Sequence, residues 1–359
     1  MRRSPRNLRI ACDHRGLTHF GGTYFFHEFL RVLQLRRFLT KNLDYPRRNK
    51  RYSLAQMILA LIYPLVLGLD RLETASFLRF NGTFQYLTGL QSFPDPQTLR
   101  RFLLQAPESF LQQLHRVNNR LLQTFIHLPG HRSRLILDLD STVVTVFGRQ
   151  ENAEVGYNPR YRGKRSYNPL LCIEANSSYL WDTELRPGNA GTWEGSVELV
   201  TSLQDEVRTI AQHYRDRGDS ENNFDELKNQ WGWAGFTTHD RKRCQVMARI
   251  TALIYNWWTI FMRLGIPDKH AEAITSRPLA LHGIARQTRH SNQTTVEVTS
   301  THAKAPLIAQ ALAKVSGFLK RIKASAEQLS QAARWQLILR CCLSAIPSRQ
   351  GSWKPSLAS

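Results

Sequence analysis

Leu135-Ile136-Leu137-Asp138-Leu139-Asp140-Ser141-Thr142-Val143-Val144-Thr145-Val146 is the stretch on which the reading of this chain turns. It is apolar, partly alternating and then rich in β-branched residues, which is the pattern of a strand. Upstream, from Ser53 to about residue 127, apolar residues recur at helical spacing, as in Phe77, Leu78, Phe80 and again in Phe102, Leu103, Phe110, Leu111 and Leu114. Pro94-Asp95-Pro96 interrupts this block, Thr98 to Leu103 reads as a fresh helix start, and Pro129-Gly130 closes it. Downstream comes a turn-rich basic stretch with Tyr-Asn-Pro at 157–159 and again at 167–169. Strands are expected over 170–175 and 179–185, joined at Asn176-Ser177 and closed by Pro187-Gly188-Asn189. Helices are expected over 194–228, 241–264 and 306–346, and the polar, basic segment 276–304 reads as a loop or linker. The expected fold class is helix-rich α+β: a helical, basic region 1–130, an α/β core 131–235 and a helical region 236–359.

The chain has 359 residues, with 49 Lys and Arg against 28 Asp and Glu, a formal charge of +21. At 42% apolar residues it has material for a buried core and is not of disordered composition. The run Met57 to Leu69 contains Pro64 and falls short of the ~20 residues that a bilayer span needs, so no membrane partner is expected. The basic N-terminus has no apolar stretch behind it, so no secretory signal is expected. Cys12, Cys172, Cys244, Cys341 and Cys342 contain no C-x-x-C pair, which argues for a reducing cytoplasm and against a disulfide scaffold or zinc site. A positive excess of this size draws polyanions, and phosphate backbones are the usual target. Trp231, Trp233, Trp257 and Trp258 could stack on bases, yet their apolar neighbours Leu253, Ile254, Tyr255 and Phe261 favour a place in the core.

Two groups of residues could do chemistry. Asp138 and Asp140 are two apart on the expected strand and so face one side, an arrangement that a divalent metal would offset. Capping a turn and pairing with an Arg would also account for them. Tyr214, Arg217, Glu221 and Lys228 fall about −60°, −20° and −40° from the first around a helix, so all four share a face. A solvated stripe of helix ion pairs is the commoner outcome of such spacing. Gly218 lies within the stripe, and Asp219 or Ser220 could instead cap a helix starting at Glu221.

The spacing Tyr214-x2-Arg217-x3-Glu221-x6-Lys228 resembles the Tyr-Arg-Glu-Lys signature of DDE transposases of bacterial insertion sequences. Leu137 to Thr142 resembles the strand carrying their first catalytic aspartate, and residues 156–170 resemble the hairpin that follows it. The likeness runs through Arg186-Pro187-Gly188-Asn189 and into Glu221-Asn222 and Glu226-Leu227-Lys228. The resemblance implies a shortened RNase H-like α/β core flanked by helical regions. It implies Mg²⁺, with Mn²⁺ as a substitute, held by Asp140 and Glu221 as the catalytic and metal-binding acids. Tyr214, Arg217 and Lys228 would be the DNA-binding residues. The implied partner is double-stranded DNA, both transposon ends and target, with a homodimer on paired ends in a bacterial, nucleoid-associated setting.

One element of the family pattern is missing from the expected places. The family's second aspartate lies on a later strand, yet only 25 residues separate Gly188 from Tyr214, and they read mostly as helix. Asp182, Asp205, Asp216 and Asp219 are badly placed for the role. An internal deletion accounts for this, so the expectation is a degenerate transposase. The alternatives are a catalytically inactive derivative that occupies transposon ends and a remnant without function.

Overall fold

A computed structural model describes residues 16–47, 51–69, 71–126, 137–175, 177–191, 194–196, 199, 217–233, 238–267, 270–283, 285–290, 293–299, 305–324 and 329–343. A short strand β1 (Leu17–Thr18) leads into the helices α1 (Thr23–Val32), α2 (Leu35–Asn42) and α3 (Leu54–Val66). Ser53 starts α3 with a capping box: its side chain accepts from the Gln56 N–H, and the Gln56 side chain accepts from the Ser53 N–H. Pro64 lies inside this helix, which ends two residues later. Then follow α4 (Ala75–Arg79), α5 (Gly82–Leu87), α6 (Pro96–Leu104) and α7 (Glu108–Ile126). The new start after the prolines is at Pro96, not Thr98, because Asp95 caps the Gln97 N–H and proline suits the first turn.

The middle of the chain supplies two small antiparallel sheets. β2 (Leu137–Ser141), β6 (Leu170–Glu174) and β7 (Tyr179–Glu184) form one, with β6 central. β3 (Val144–Thr145), β4 (Glu154–Val155) and β5 (Arg165–Tyr167) form the other, in the order β3-β5-β4. The strand expected over 142–146 is thus shorter than its β-branched run. The β6–β7 turn is closed by Glu174, whose carboxylate accepts from the Ser177 N–H and hydroxyl. A bulge places Trp181 and Asp182 opposite Cys172. Asn118 of α7 and Asn256 donate to the carbonyl of Leu180, and Asn256 accepts from its N–H, so the open edge of β7 is satisfied by side chains.

The remaining helices are α8 (Arg217–Gln230), α9 (Arg241–Gly265), α10 (Ala273–Ala280), α11 (Ala305–Ala324) and α12 (Gln331–Leu343). The expectation of a loop over 276–304 is corrected. α10 covers its start, and β8 (Ala285–His290) pairs with β9 (Gln293–Val298) and with β1. That hairpin is largely exposed on both faces, so it carries no apolar alternation to betray it. Every residue from Ile250 to Gly265 of α9 is buried, and α3, α6, α7, α11, α12 and β7 pack around it. One continuous core takes in residues from Phe20 to Cys342 and therefore draws on all three segments of the chain. Trp231, Trp233, Trp257 and Trp258 are each 1% exposed, so the core reading of the tryptophans holds. Among the described residues no helix is long and apolar enough to cross a membrane.

A pH effect follows from α1. His27 Nδ1 lies 2.8 Å from the Tyr63 hydroxyl, and burial, with Arg36 adding to it, pushes the imidazole from 6.5 down to about 4. The folded state therefore resists a proton that the unfolded chain accepts. Stability is unaffected above pH 6.5, falls as pH drops from 6.5 towards 4, and the loss is complete below that. The expected loss is up to about 3 kcal/mol, and it should vanish in His27→Gln when urea unfolding is followed at stepped pH.

Candidate catalytic strand and nucleic-acid interface

Asp138 and Asp140 project from one face of β2, opposite Ile173 and Leu171 of the central strand. In the sheet order β2 has β6 on one side and no strand on the other among the described residues. Both aspartates are half-buried. Burial, and then the charge of Asp140, raise the Asp138 carboxyl above its ordinary value. Asp140 Oδ1 accepts from the Ser141 N–H at 2.7 Å, just where β2 ends and the chain crosses to the second sheet. Among the described residues neither aspartate has an ion-pair partner.

Asp182 stands differently. It pairs across from Cys172, whose partner on β2 is Leu139, so the strand alternation puts it on the opposite face from Asp140. It is 5% exposed, and its Oδ1 accepts from Arg249 Nη1 of α9 and from the Thr183 N–H, with His115 Nδ1 of α7 at 3.1 Å. Burial alone would raise this carboxyl; Arg249 and His115 outweigh it and hold the group below its ordinary value. Its Oδ1 is committed to the core.

Of the helical stripe, Tyr214 lies outside the described residues. Arg217 opens α8 and Glu221 lies in its second turn, and for both the description is of the backbone. The helix runs on through Gly218, Asp219 and Ser220, so neither Asp219 nor Ser220 caps a later start. Lys228 sits two turns beyond Glu221 on the same side, about 10 Å along the axis. It is half-buried; burial and then Arg160 lower its ammonium below the ordinary value, which brings the 160–165 turn and the end of α8 into one electrostatic neighbourhood. Glu226 anchors α8: 1% exposed, it accepts from Trp231 Nε1 at 3.1 Å and from the Ala273 N–H of α10 at 2.8 Å, with His270 Nε2 at 2.6 Å. Among the described residues no three His, Cys, Asp or Glu side chains are grouped as a metal site.

The second sheet forms a wing with a core of its own, made of Val144, Val146, Ala153, Tyr167, Leu185 and Cys244. Two motif loops meet at its base. A Cβ on Gly156 would collide with the Gly188 carbonyl, and one on Gly188 would lie 2.5 Å from the Ser166 carbonyl oxygen, so both loops need glycine where they cross. The Arg186 guanidinium, 3% exposed, donates to the carbonyls of Asn168 and Gly191 and holds the Arg-Pro-Gly-Asn turn in place. Asn158 donates to the Thr145 hydroxyl and accepts from the Tyr161 N–H, fixing the Tyr-Asn-Pro loop. The wing carries the exposed rings of Phe147, Tyr157 and Tyr161, while Phe77 and Phe80 are exposed on the helical block. In contrast to the buried tryptophans, Phe147 is 76% and Tyr157 81% exposed. Their signal in the sequence was aromatic residues interleaved with the basic turn.

A family model described as transposase DDE domain group 1 matches residues 2–209. That span takes in the helical block, β2, the wing and the β6–β7 hairpin, and it ends before Tyr214. No curated protein and no solved structure matches the chain.

Proposed function

The chain belongs to the transposase DDE domain group 1 family, and from that premise we propose that it is a degenerate DNA transposase of a bacterial insertion sequence. Membership implies a DNA partner and strand-cleaving or strand-joining chemistry assisted by a divalent metal. In our reading Asp140 and Glu221 are the surviving catalytic acids of a shortened RNase H-like core. Tyr214, Arg217 and Lys228 hold phosphates of the transposon end. The helical segment 1–130 and the basic turns carry end recognition, and paired ends bring two copies together in a bacterial, nucleoid-associated setting.

The observation that carries this reading is the contrast between the sheet's acids. Asp140 is half-buried, has no ion-pair partner among the described residues, and lies beside Asp138, whose carboxyl is raised above its ordinary value by burial and then by the charge of Asp140. Asp182 is locked to Arg249 and His115. A divalent cation fits at Asp140, where it would offset that like charge and neutralise phosphate charge in an in-line displacement. The residues of this chain then have two tasks: Asp140 and Glu221 provide ligand oxygens, and Lys228 with Arg160 offers positive charge to the phosphates. The third acid of the family's two-metal arrangement is lost with an internal deletion between Asn189 and Tyr214, so cleavage is expected to be weak.

Labelled duplex carrying the element's end sequence tests this with wild type, Asp140→Ala and Glu221→Ala in Mg²⁺ or Mn²⁺. Salt-sensitive binding by all three, with slow cleavage by wild type alone, is the expected result. A metal-dependent rise in melting temperature lost in Asp140→Ala would accompany it. Binding with no cleavage under any condition favours the second reading, an inactive occupant of transposon ends. Undiminished cleavage by Asp140→Ala would remove Asp140 from the site.

A further inference from the structure

The wing presents rings to solvent on a frame that has no need of them. Phe147, Tyr157 and Tyr161 are 76%, 81% and 40% exposed, while the wing's own cluster closes beneath them without their help. Phe147 and Tyr161 meet edge to face at 5.6 Å, and the Arg160 guanidinium lies 5.6 Å from the Tyr161 ring centre. The frame is rigid: the Val146 N–H donates to the Arg165 carbonyl, the Tyr167 hydroxyl to the Glu151 carbonyl, and the Glu151 N–H to the His239 carbonyl. Phe147 and Tyr161, which brace one another edge to face, lose little freedom on stacking, which is what separates a platform from stray surface aromatics.

Charge says what would lie on those faces. Arg160, Arg162, Lys164 and Arg165 fall within six residues, and no carboxylate occurs between Glu154 and Glu174. Among the described residues none of these four cations is paired to an acid. Exposed aromatic faces beside unneutralised cations suit a strand whose bases are free to stack and whose phosphates follow the charge. A paired duplex offers the phosphates but keeps its base faces covered. Resting on the DNA reading above, we propose that Phe147, Tyr157 and Tyr161, with the basic run 160–165, form a stacking platform for an unpaired DNA strand. The Arg160 charge is felt at Lys228, in the last turn of α8.

The test uses the full chain and two probes, a labelled single strand and the duplex of the same sequence, each followed by anisotropy at about 50 and about 200 mM salt. Phe147→Ala and Tyr157→Ala should each weaken single-strand binding by about 5- to 150-fold, the loss of one base stack, and change duplex binding less than about 2-fold. A 2-aminopurine base in the strand should be quenched by wild type and by Phe147→Trp but not by Phe147→Ala. Urea midpoints should not move, because these rings support nothing beneath them. Equal losses on both probes, or no loss on the single strand, would overturn the platform. Wild type that binds duplex alone would sink the platform and leave the DNA reading standing; wild type that binds neither would sink both.

Discussion

Arg249→Met should cost about 3–5 kcal/mol of folding stability, read as a drop in the urea midpoint, because it strands a buried carboxylate. Asp182 is 5% exposed and takes Arg249 Nη1, the Thr183 N–H and His115 on one oxygen. Asn119 Nδ2 lies 2.9 Å from His115 Nε2 and Arg249 Nη1 3.0 Å from His115 Nδ1, so the ring is held from both sides. The cluster ties β7 to α7 and α9, so a single charge pins three elements across the core. Its pH dependence has a definite sign. A carboxyl held below its ordinary value adds stability that is present above the unfolded range, near 4, and lost as pH falls through the folded value. In Arg249→Met that carboxyl rises instead, so the gap between wild type and variant should narrow as pH drops below about 4. Adding Asp182→Asn to the variant should recover part of the loss, since no buried charge then remains. A penalty under about 1 kcal/mol would mean the pair contributes no more than a surface bridge.

Gly156→Ala should detach the wing from its base. The new methyl would lie within the shell of the Gly188 carbonyl oxygen and 2.8 Å from Asn189 Cα, and both neighbours are backbone that cannot rotate away. Overpacking of this kind costs about 1–3 kcal/mol, and more where nothing yields. Because the wing has a small core separate from the main one, the change should appear as local loosening: protease cuts between residues 147 and 165, with the main unfolding transition little altered. Gly163→Ala is the control. Its φ is +73° but the space around it is open, so only backbone strain of about 1–2 kcal/mol is expected and no separation of loops. Equal protease resistance of Gly156→Ala and wild type would show that the two loops have room to part.

The strands β2, β6 and β7 were legible because each is an apolar or alternating run bounded by turn residues. The long buried helix α9 was legible because its apolar residues leave hardly a polar face. The β8–β9 hairpin was not: with both faces largely exposed it reads as a polar linker, and only Thr294, Thr295, Val296 and Val298 hint at strand. β4 and β5 are two and three residues long, too short for any period to register. Asp182 and its partners His115 and Arg249 are each separated by 67 residues, and no local pattern couples them.

Unaided, the order of residues settled the excess of positive charge and much of the helix and strand periodicity, and it carried a resemblance to DDE transposases. Alternation along β2 also dictated that Asp138 and Asp140 share a side. What covers each side was beyond it. Only the folded chain put Asp182 beneath Arg249 and left Asp140 without an ion-pair partner among the described residues, and only the folded chain buried Trp231, Trp233, Trp257 and Trp258 while turning Phe147 and Tyr157 outward. The reason is physical: periodicity reports how neighbours along the chain are oriented. Burial and charge pairing depend on segments that meet from far apart, and those contacts decide which groups are sequestered and which remain free to react.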